Sequence, residues 1–591
     1  MAFCGLTSRG REMAQKFDPI RLEILWQRML SIVDEADASV GRTAFSSLVR
    51  DGHDYCIAIV DKAGRELAES SGASPGLMGG MTRGVKKIVH MFPIESYKPG
   101  DVFIANDPWL LAGHLNDFVL VSPIFYRDNL VAFATSIFHH TDVGGRTGDD
   151  NREVYEEGIF IPAVRLYDKG TPNESMLDTI RWNVRRPDEV IGDIRSQIAA
   201  NHICTQKIEE VMEDAKLDTL DDLSNEIINR TERNMRDSIA EIPDGVYSAE
   251  GSFEGMDEGE EIKIQLSVEV KERNVICDYA GSSPQVSWAG NIVYNYTYAY
   301  TWFGIKTICS PDLPNNEGSI VPIKVKAPEG SIVNARFPAA LSSRHKIGQC
   351  LTEIVYRALA PVVPEKVLTA SGGSPAWGHR FYGRRKNGER FIALIINGGG
   401  LSASHHGDGS YCANFPANAA NVPCEIFMSD TPILIEKKEI VRDSGGPGKM
   451  RGGLGQEIVF RVPEDEDAPI PPVTLILRGG RTRFPARGLF GGNPGVPAKC
   501  FINGVSVNLS QTHYLKPGDR VASRSPGAGG YGNPLERDPE MVRRDVIYGY
   551  VSLEKAKEDY GVVIDSDTMN VDFESTRKLR EISSSSIKNR Y

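Results

Sequence analysis

Apolar, β-branched and aromatic residues fill Phe118–Phe125 and again Leu130–Phe138, and a short polar loop containing Arg127, Asp128 and Asn129 joins the two runs. Two such runs so close together read as an antiparallel hairpin. A hairpin constrains a chain strongly because it fixes which residues face one another. With the loop centred on Asp128, positions 117 and 139 are symmetric, eleven residues away on each side. Asp117 and His139 then stand opposite each other at the open end, with Cβ atoms about 5 Å apart. Pro123 lacks a ladder N–H and predicts an edge strand or a bulge in the first run.

That register gathers scarce residues. The chain has 11 histidines in 591 residues, yet His114, His139 and His140 fall within 27 positions, together with Asp117 and Asp142. His114 is three residues before Asp117 and reaches the same point if Gly113-His114-Leu115-Asn116-Asp117 makes a turn. The result is a candidate two-histidine, one-carboxylate metal site with open positions. Strand alternation sends His140 to the opposite face, which makes His139 the ligand. A nitrogen and oxygen set without thiolate suits Mn²⁺, Fe²⁺ or Zn²⁺. The same spacing also accommodates a pair of hydrogen-bonded histidines beside a turn. Asp54, just before the strand-like run Tyr55–Val60, is an additional carboxylate ligand or a supporting partner.

Two other polar groups are weaker candidates. His405-His406-Gly407-Asp408-Gly409 follows a glycine run and suits either a pocket wall or a solvated loop. Arg344-His345-Lys346 is a small basic cluster able to hold a phosphate or a carboxylate, or to cap a helix.

The rest of the chain reads as a mixed α+β body with a β-rich C-terminal third. Asp18-Pro19 opens a long helix running into the forties. Gly72–Gly84 is too glycine-rich for an ordinary helix interior, and helical periodicity resumes only at Val85–Phe92. Pro187–Glu213 and Asp221–Ile239 are two further helices. Ile262–Val270 alternates as a half-buried strand, with Val275–Tyr279 as its hairpin partner. Short strands follow at Ile458–Val462, Val473–Leu477 and Phe501–Val505. These texture changes divide the chain into an N-terminal α+β region 1–243 carrying the metal motif, a central region 244–436 and a glycine-rich region 437–591.

Composition excludes some partners. A formal charge of −12 argues against nucleic acid, because phosphate binding wants a basic face. No apolar stretch is long enough for a membrane span, and the first residues carry no apolar signal region, so a cytoplasmic location is expected. Nine scattered cysteines without a CxxC pair read as reduced core thiols. Two glycine loops imitate nucleotide sites. Gly527, Gly529 and Gly532 match GxGxxG, but Asn533-Pro534 follows where a helix should begin. Ser444–Lys449 falls short of a Walker loop, with Asp443 and Met450 in place of the required glycine and hydroxyl residue. This chain therefore shows no ATP site of its own.

Taken in order, the motifs resemble a known family. Asp54-Tyr55-Cys56, Asn106-Asp107-Pro108, Gly113-His114 with Asp117, His139-His140 with Asp142 and Gly144-Gly145, Glu157-Gly158-Ile159 with Ile161-Pro162, and Gly281-Ser282-Ser283 with Gln285 are similar to the hydantoinase B family. So are Asp443–Lys449 with Arg451-Gly452-Gly453 and Gly455, and Ser525–Gly532; the resemblance runs from about residue 18 to 563. It implies metal ligands at His114, Asp117 and His139, with Asp54 beside them, His140 and Asp142 as catalytic groups, and Mn²⁺ as the first expectation among Mn²⁺, Zn²⁺ and Fe²⁺. It also implies a hetero-oligomer with a hydantoinase A-type partner, and that partner binds the ATP.

The family includes ATP-dependent hydantoinases, N-methylhydantoinase, 5-oxoprolinase, caprolactamase and the acetone and acetophenone carboxylases. The expected reaction is opening of a 5-substituted hydantoin to an N-carbamoyl amino acid. A ketone carboxylase subunit, a 5-oxoprolinase or lactamase subunit, and a scaffold with a structural metal are the alternatives. The carboxylase subunits of the acetone type are longer, and 591 residues suits the hydrolases better.

Overall fold

The computed structural model describes residues 17–588 apart from 112, 147 and 258, with side chains described as far as 582. The architecture is α+β. Strands β1 (Tyr55–Asp61), β2 (Glu66–Glu69), β3 (Val102–Ala105), β4 (Asp117–Tyr126), β5 (Asn129–His139), β6 (Val164–Asp168) and β7 (Thr171–Pro172) form an antiparallel sheet. Their order is β2-β1-β5-β4-β3-β6-β7.

Both faces of this sheet are covered, which explains why all seven residues of β1 are buried. Tyr55, Ile57 and Ile59 pack into the layer formed by helices Pro19–Thr43, Pro187–Ala215 and Asp221–Ile239. Cys56, Ala58 and Val60 alternate to the other face, against helices Pro75–Met91 and Tyr294–Cys309. The long first helix starts where Asp18 and Pro19 predict, with the Asp18 carboxylate accepting from the N–H groups of Ile20 and Arg21.

The glycine-rich segment is a correction. Gly76, Gly79, Gly80 and Gly84 all lie inside helix Pro75–Met91, where the sequence argues against one. Each glycine costs about 1 kcal/mol of intrinsic propensity, but here they admit close neighbours. A Cβ at Gly79 would lie 3.2 Å from the Ala299 Cα, and one at Gly76 would lie 2.9 Å from the rings of Tyr296 and Tyr300. The two helices approach so closely that packing outweighs propensity.

A second sheet comprises β8 (Gly245–Glu254), β9 (Glu261–Lys271), β10 (Asn274–Asp278) and β11 (Ile323–Lys326) in the order β11-β10-β9-β8. The alternation of β9 is as expected, and β10 is its antiparallel hairpin partner. The C-terminal part holds β12 (Trp377–Arg384), β13 (Arg390–Asn397), β14 (Leu434–Ile440), β15 (Gln456–Arg461), β16 (Ile470–Arg478), β17 (Lys499–Ile502), β18 (Val505–Ser506), β19 (Thr512–Leu515) and β20 (Arg520–Arg524). They form two sheets, β13-β12-β16-β19 and β14-β15-β20-β17-β18. Phe501–Val505, expected as one strand, is split into β17 and β18 by Asn503-Gly504, both at positive φ. Residues 525–532 pack backbone to backbone against 444–453; a Cβ on Gly527 would stand 1.8 Å from the Ser444 carbonyl oxygen. Beyond them, Asn533 caps a single 3₁₀ turn, Pro534–Glu536. Among the described residues no helix is long and apolar enough to cross a membrane.

Gly84 tests the balance between propensity and packing. Alanine is the better helix former by about 1 kcal/mol, but its Cβ would lie 2.5 Å from the Leu110 carbonyl oxygen. Overpacking of this kind costs about 1–3 kcal/mol. Gly84→Ala should therefore destabilise the chain by about 1–2 kcal/mol in chemical denaturation, whereas Lys87→Ala on the exposed face should stay within about 0.5 kcal/mol.

Candidate metal centre

Three adjacent strands bring one face of the first sheet to a point. β4 and β5 pair with Asp117 directly opposite His139. β1 lies on the other side of β5 with Tyr55 opposite Phe138, and the His139 N–H donates to the Asp54 carbonyl, 3.1 Å. Asp54, His139 and Asp117 thus stand side by side across three strands. All three share the parity of Cys56, Val119 and Ile137, the residues facing helix Pro75–Met91.

The register arises differently from the expected symmetry. The turn is the two-residue type, with Arg127 and Asp128 both at positive φ. A bulge then separates Ile124↔Ala132 from Phe125↔Leu130, leaving Val131 as the extra residue. The two irregularities offset each other and restore the pairing of 117 with 139. Pro123 lies beyond Val121, the last β4 residue paired with β3, so that ladder does not need its missing N–H.

His114 enters from the turn preceding β4. Gly113 sits at φ +110, open to glycine and strained for other residues, and a Cβ there would meet the Arg344 side chain at 3.0 Å. The His114 Nε2 is 2.9 Å from the Asp117 Oδ1 and 3.0 Å from the His139 Nδ1, and the latter two atoms are 3.1 Å apart. The Asp117 Oδ1 has only lone pairs to offer and each ring nitrogen carries at most one proton, so the three contacts cannot all be hydrogen bonds. A shared cation resolves that conflict. The three donor atoms lie close enough together that His114, Asp117 and His139 would each give one ligand atom to a single divalent ion.

Electrostatics keep the donors in ligand form. Burial and the nearby Arg344 guanidinium hold the His114 pKa well below its ordinary value, so the imidazole is neutral. Burial alone would raise the Asp117 carboxyl, but His114 and Arg344 outweigh it and hold it well below the usual carboxylate range. The Arg344 Nη2 donates to the Asp117 Oδ2 at 2.7 Å, leaving Oδ1 turned toward the histidines. Arg344 also lies over the Tyr296 ring, 4.4 Å from its centroid. Its loop is anchored from behind: the Glu157 carboxylate accepts from the N–H groups of Leu341 and Ser342, and Asp149 accepts from Ser343 and Lys346. Burial raises the Asp54 carboxyl, and its Oδ2 is 3.9 Å from the His139 Nδ1.

The donors open into a cavity whose far wall is the third sheet. Ala376, Gly378, Leu394 and Ile396 line it, with Arg380 and Arg478 among them. Along β12, Trp377 and Phe381 turn the other way into the C-terminal core, so alternation alone sets this division.

Several expected residues lie elsewhere. His140 is fully buried on the opposite sheet face, stacked on Phe118 at 4.4 Å with its Nε2 3.2 Å from the Gln197 Oε1. Asp142 is held by the Arg185 guanidinium and the Gly144 N–H. Neither is among the residues that line the cavity; both lie behind the end of β5. His405 and His406 are exposed and outside the cavity; the His405 Nε2 is 3.8 Å from Glu365. Of the basic cluster, Arg344 does hold a carboxylate, that of Asp117. Tyr296, Tyr300, Arg380 and Arg478 gave no sequence signal, being isolated in the chain and far from the histidines.

Residues 18–534 match the family model described as Hydantoinase B/oxoprolinase. The B-type component of a putative D-/L-hydantoinase of Pseudomonas sp. (strain NS671) is 29% identical, covering 96% of this chain and 99% of that protein. The beta component of the caprolactamase of Pseudomonas jessenii is 27% identical over 93% of this chain and 97% of its own. The crystal structure of the ATP-dependent caprolactamase from that organism superposes with a TM-score of 0.86, at 25% identity over 96% of this chain and 100% of that chain. A nucleotide-free acetone carboxylase shares the fold with a TM-score of 0.87, at 19% identity over 99% of this chain and 84% of that one. With a family model spanning most of its length and a donor cluster built from its ordered motifs, the chain belongs to the Hydantoinase B/oxoprolinase family.

Proposed function

We propose that this chain is the metal-bearing subunit of an ATP-dependent cyclic amide hydrolase, opening 5-substituted hydantoins to N-carbamoyl amino acids. Its partner is a hydantoinase A-type subunit that binds ATP, and the two form a hetero-oligomer. The observation that carries this reading is the single cavity in which His114, Asp117 and His139 converge opposite an apolar wall of Leu394, Ile396 and alanines. The names of the relatives, each one component of a hydantoinase or a caprolactamase, support a cyclic amide substrate and a second subunit.

A cyclic amide resists water because resonance lowers the electrophilicity of its carbonyl. Phosphorylation of that oxygen on the partner subunit gives an imidate phosphate with a good leaving group. Bound by His114, Asp117 and His139, a divalent ion, Mn²⁺ before Zn²⁺ or Fe²⁺, supplies Lewis acidity and lowers the pKa of water toward about 7–9. Arg344 fixes the Asp117 carboxylate by its distal oxygen. Asp54, beside His139 and on the wall of the cavity, is placed to take a proton from attacking water. The apolar wall excludes competing water and receives the ring substituent.

Metal analysis of variants tests the ligand set. His114→Ala, Asp117→Ala and His139→Ala should each weaken metal binding by more than about 100-fold, the upper range for a merely supporting partner. Asp54→Asn should fall within about 10–100-fold, and His140→Ala should remain loaded. A loaded His139→Ala beside an empty His140→Ala would sink the assignment.

The division of labour is tested in a complex reconstituted with the ATP-binding subunit. With Asp117→Ala, ADP formation should continue while N-carbamoyl product stops, at unchanged complex mass. Parallel loss of both from an intact complex would mean that the metal acts in activation. Bicarbonate-dependent turnover of a ketone, without hydantoin opening, would replace the hydrolase by a carboxylase.

A further inference from the structure

Arg380 is buried, 4% exposed, on the wall of the cavity that faces the metal ligands. Among the described residues no carboxylate lies within ion-pair distance of it. Its Nη1 donates to the Tyr382 hydroxyl at 3.3 Å, and its Nε is buried without a hydrogen-bond partner. A buried guanidinium usually has a carboxylate beside it, because taking the charge out of water costs several kcal/mol, of order 5, that only a counter-charge offsets.

Arg478 lies close by. β12 and β16 pair with Gly378 opposite Arg478, so Arg380, two residues further along β12, is its diagonal neighbour on the same face. Arg478 donates to the Ser342 carbonyl at 3.0 Å and is 3.7 Å from Asp149, a carboxylate already engaged by Lys346. Gly378, Leu394 and Ile396 surround the pair without charge, and Arg344 is committed to Asp117. Arg380 therefore has no counter-charge among the described residues, and Arg478 sets a second guanidinium beside it. Burial, with Arg380 second, depresses the Arg478 pKa, as expected for two like charges in one dry wall.

We propose that Arg380, with Arg478 beside it, is an oxyanion subsite that receives the phosphoryl group of an activated substrate whose reacting carbon faces His114, Asp117 and His139 in the same cavity. A phosphate monoester dianion offers two neighbouring guanidinium groups more acceptor oxygens than a single carboxylate does, and the guanidinium fork matches two of them. This deepens the proposed function and rests on it: an imidate phosphate made on the ATP-binding subunit would be recognised here by its phosphoryl end. Water adds to the ring carbon, the carbon–nitrogen bond breaks with the nitrogen taking a proton, and the acyl phosphate so formed is hydrolysed by a second water, so that the phosphoryl group stays in the subsite until it leaves as inorganic phosphate.

The probe is inorganic phosphate, with acetate at the same ionic strength as the second arm, on the full chain freed of metal by chelation. Phosphate should raise the Tm of the wild type, and Arg380→Met should abolish that rise. Without anion, the Tm of Arg380→Met should equal or exceed that of the wild type, because an uncompensated buried charge has gone. By calorimetry, Arg380→Lys should bind phosphate at least about tenfold more weakly, and this decides the matter if Arg380→Met does not fold. An unchanged phosphate shift in Arg380→Met, an unchanged affinity in Arg380→Lys, or a larger Arg380-dependent shift with acetate overturns the subsite. Turnover of the hydantoin panel by the reconstituted complex is read separately. Its failure removes the proposed reaction, whereas loss of Arg380-dependent phosphate binding removes only the subsite.

Discussion

The register of three adjacent strands underlies everything the cavity offers. Asp54, His139 and Asp117 belong to different strands, and each lies on the same sheet face only because β1, β5 and β4 pair as they do. A slip of one residue in β5 would place His140 opposite Asp117 and turn His139 into the opposite layer, since successive side chains alternate. Buried apolar residues on both faces of the sheet oppose such a slip. Phe133 and Ile137 on one side and Ala132, Ala134 and Phe138 on the other would all exchange environments. The core therefore specifies the chemistry, by stabilising one register over its neighbours.

Around this register the chain uses backbone freedom where atoms must come close. Helix Pro75–Met91 sets Gly76 and Gly79 against Tyr296, Tyr300 and Ala299 and Gly84 against Leu110, and so brings helix Tyr294–Cys309, with its tyrosines, up to the cavity. Gly113, at positive φ, lets the Arg344 side chain pass beside His114. Arg344 then links the N-terminal sheet to the loop anchored by Glu157 and Asp149. The C-terminal sheet closes the cavity with a wall that is apolar apart from two arginines. One cavity thus has a cluster of candidate metal donors on one side, the Arg344 guanidinium beside them and two further guanidinium groups on the opposite wall.

Local pattern made much of the fold legible. Asp18-Pro19 gave the start of the first helix, strict alternation gave β9, and the hairpin β4–β5 followed from two apolar runs and a short polar loop. Where reading failed, the deciding contacts were mostly distant in sequence. The glycines of 72–84 argued against a helix because propensity is local, while the packing that offsets it comes from residues 296–302. Phe501–Val505 was misread as one strand although Asn503-Gly504 carries a strong turn signal.

Sequence by itself determined the family, the donor set and its place at the open end of a hairpin, because these depend on residue identities and on spacings that are short along the chain. Even there the pairing of Asp117 with His139 was reached through a turn and a bulge that offset each other, not through the symmetric loop that spacing suggested. Only the tertiary structure decided what the donors face. It put His140 and Asp142 behind the strand end, left His405 and His406 on the surface, and placed Arg344, Arg380 and Arg478 around the cavity. Arg380 and Arg478 lie far from His114 and His139 in the chain and carry no motif, and Arg344 showed in the sequence only as part of a basic cluster. Their meaning comes from charge brought into a shared, water-poor space, and a linear reading has no measure of that proximity.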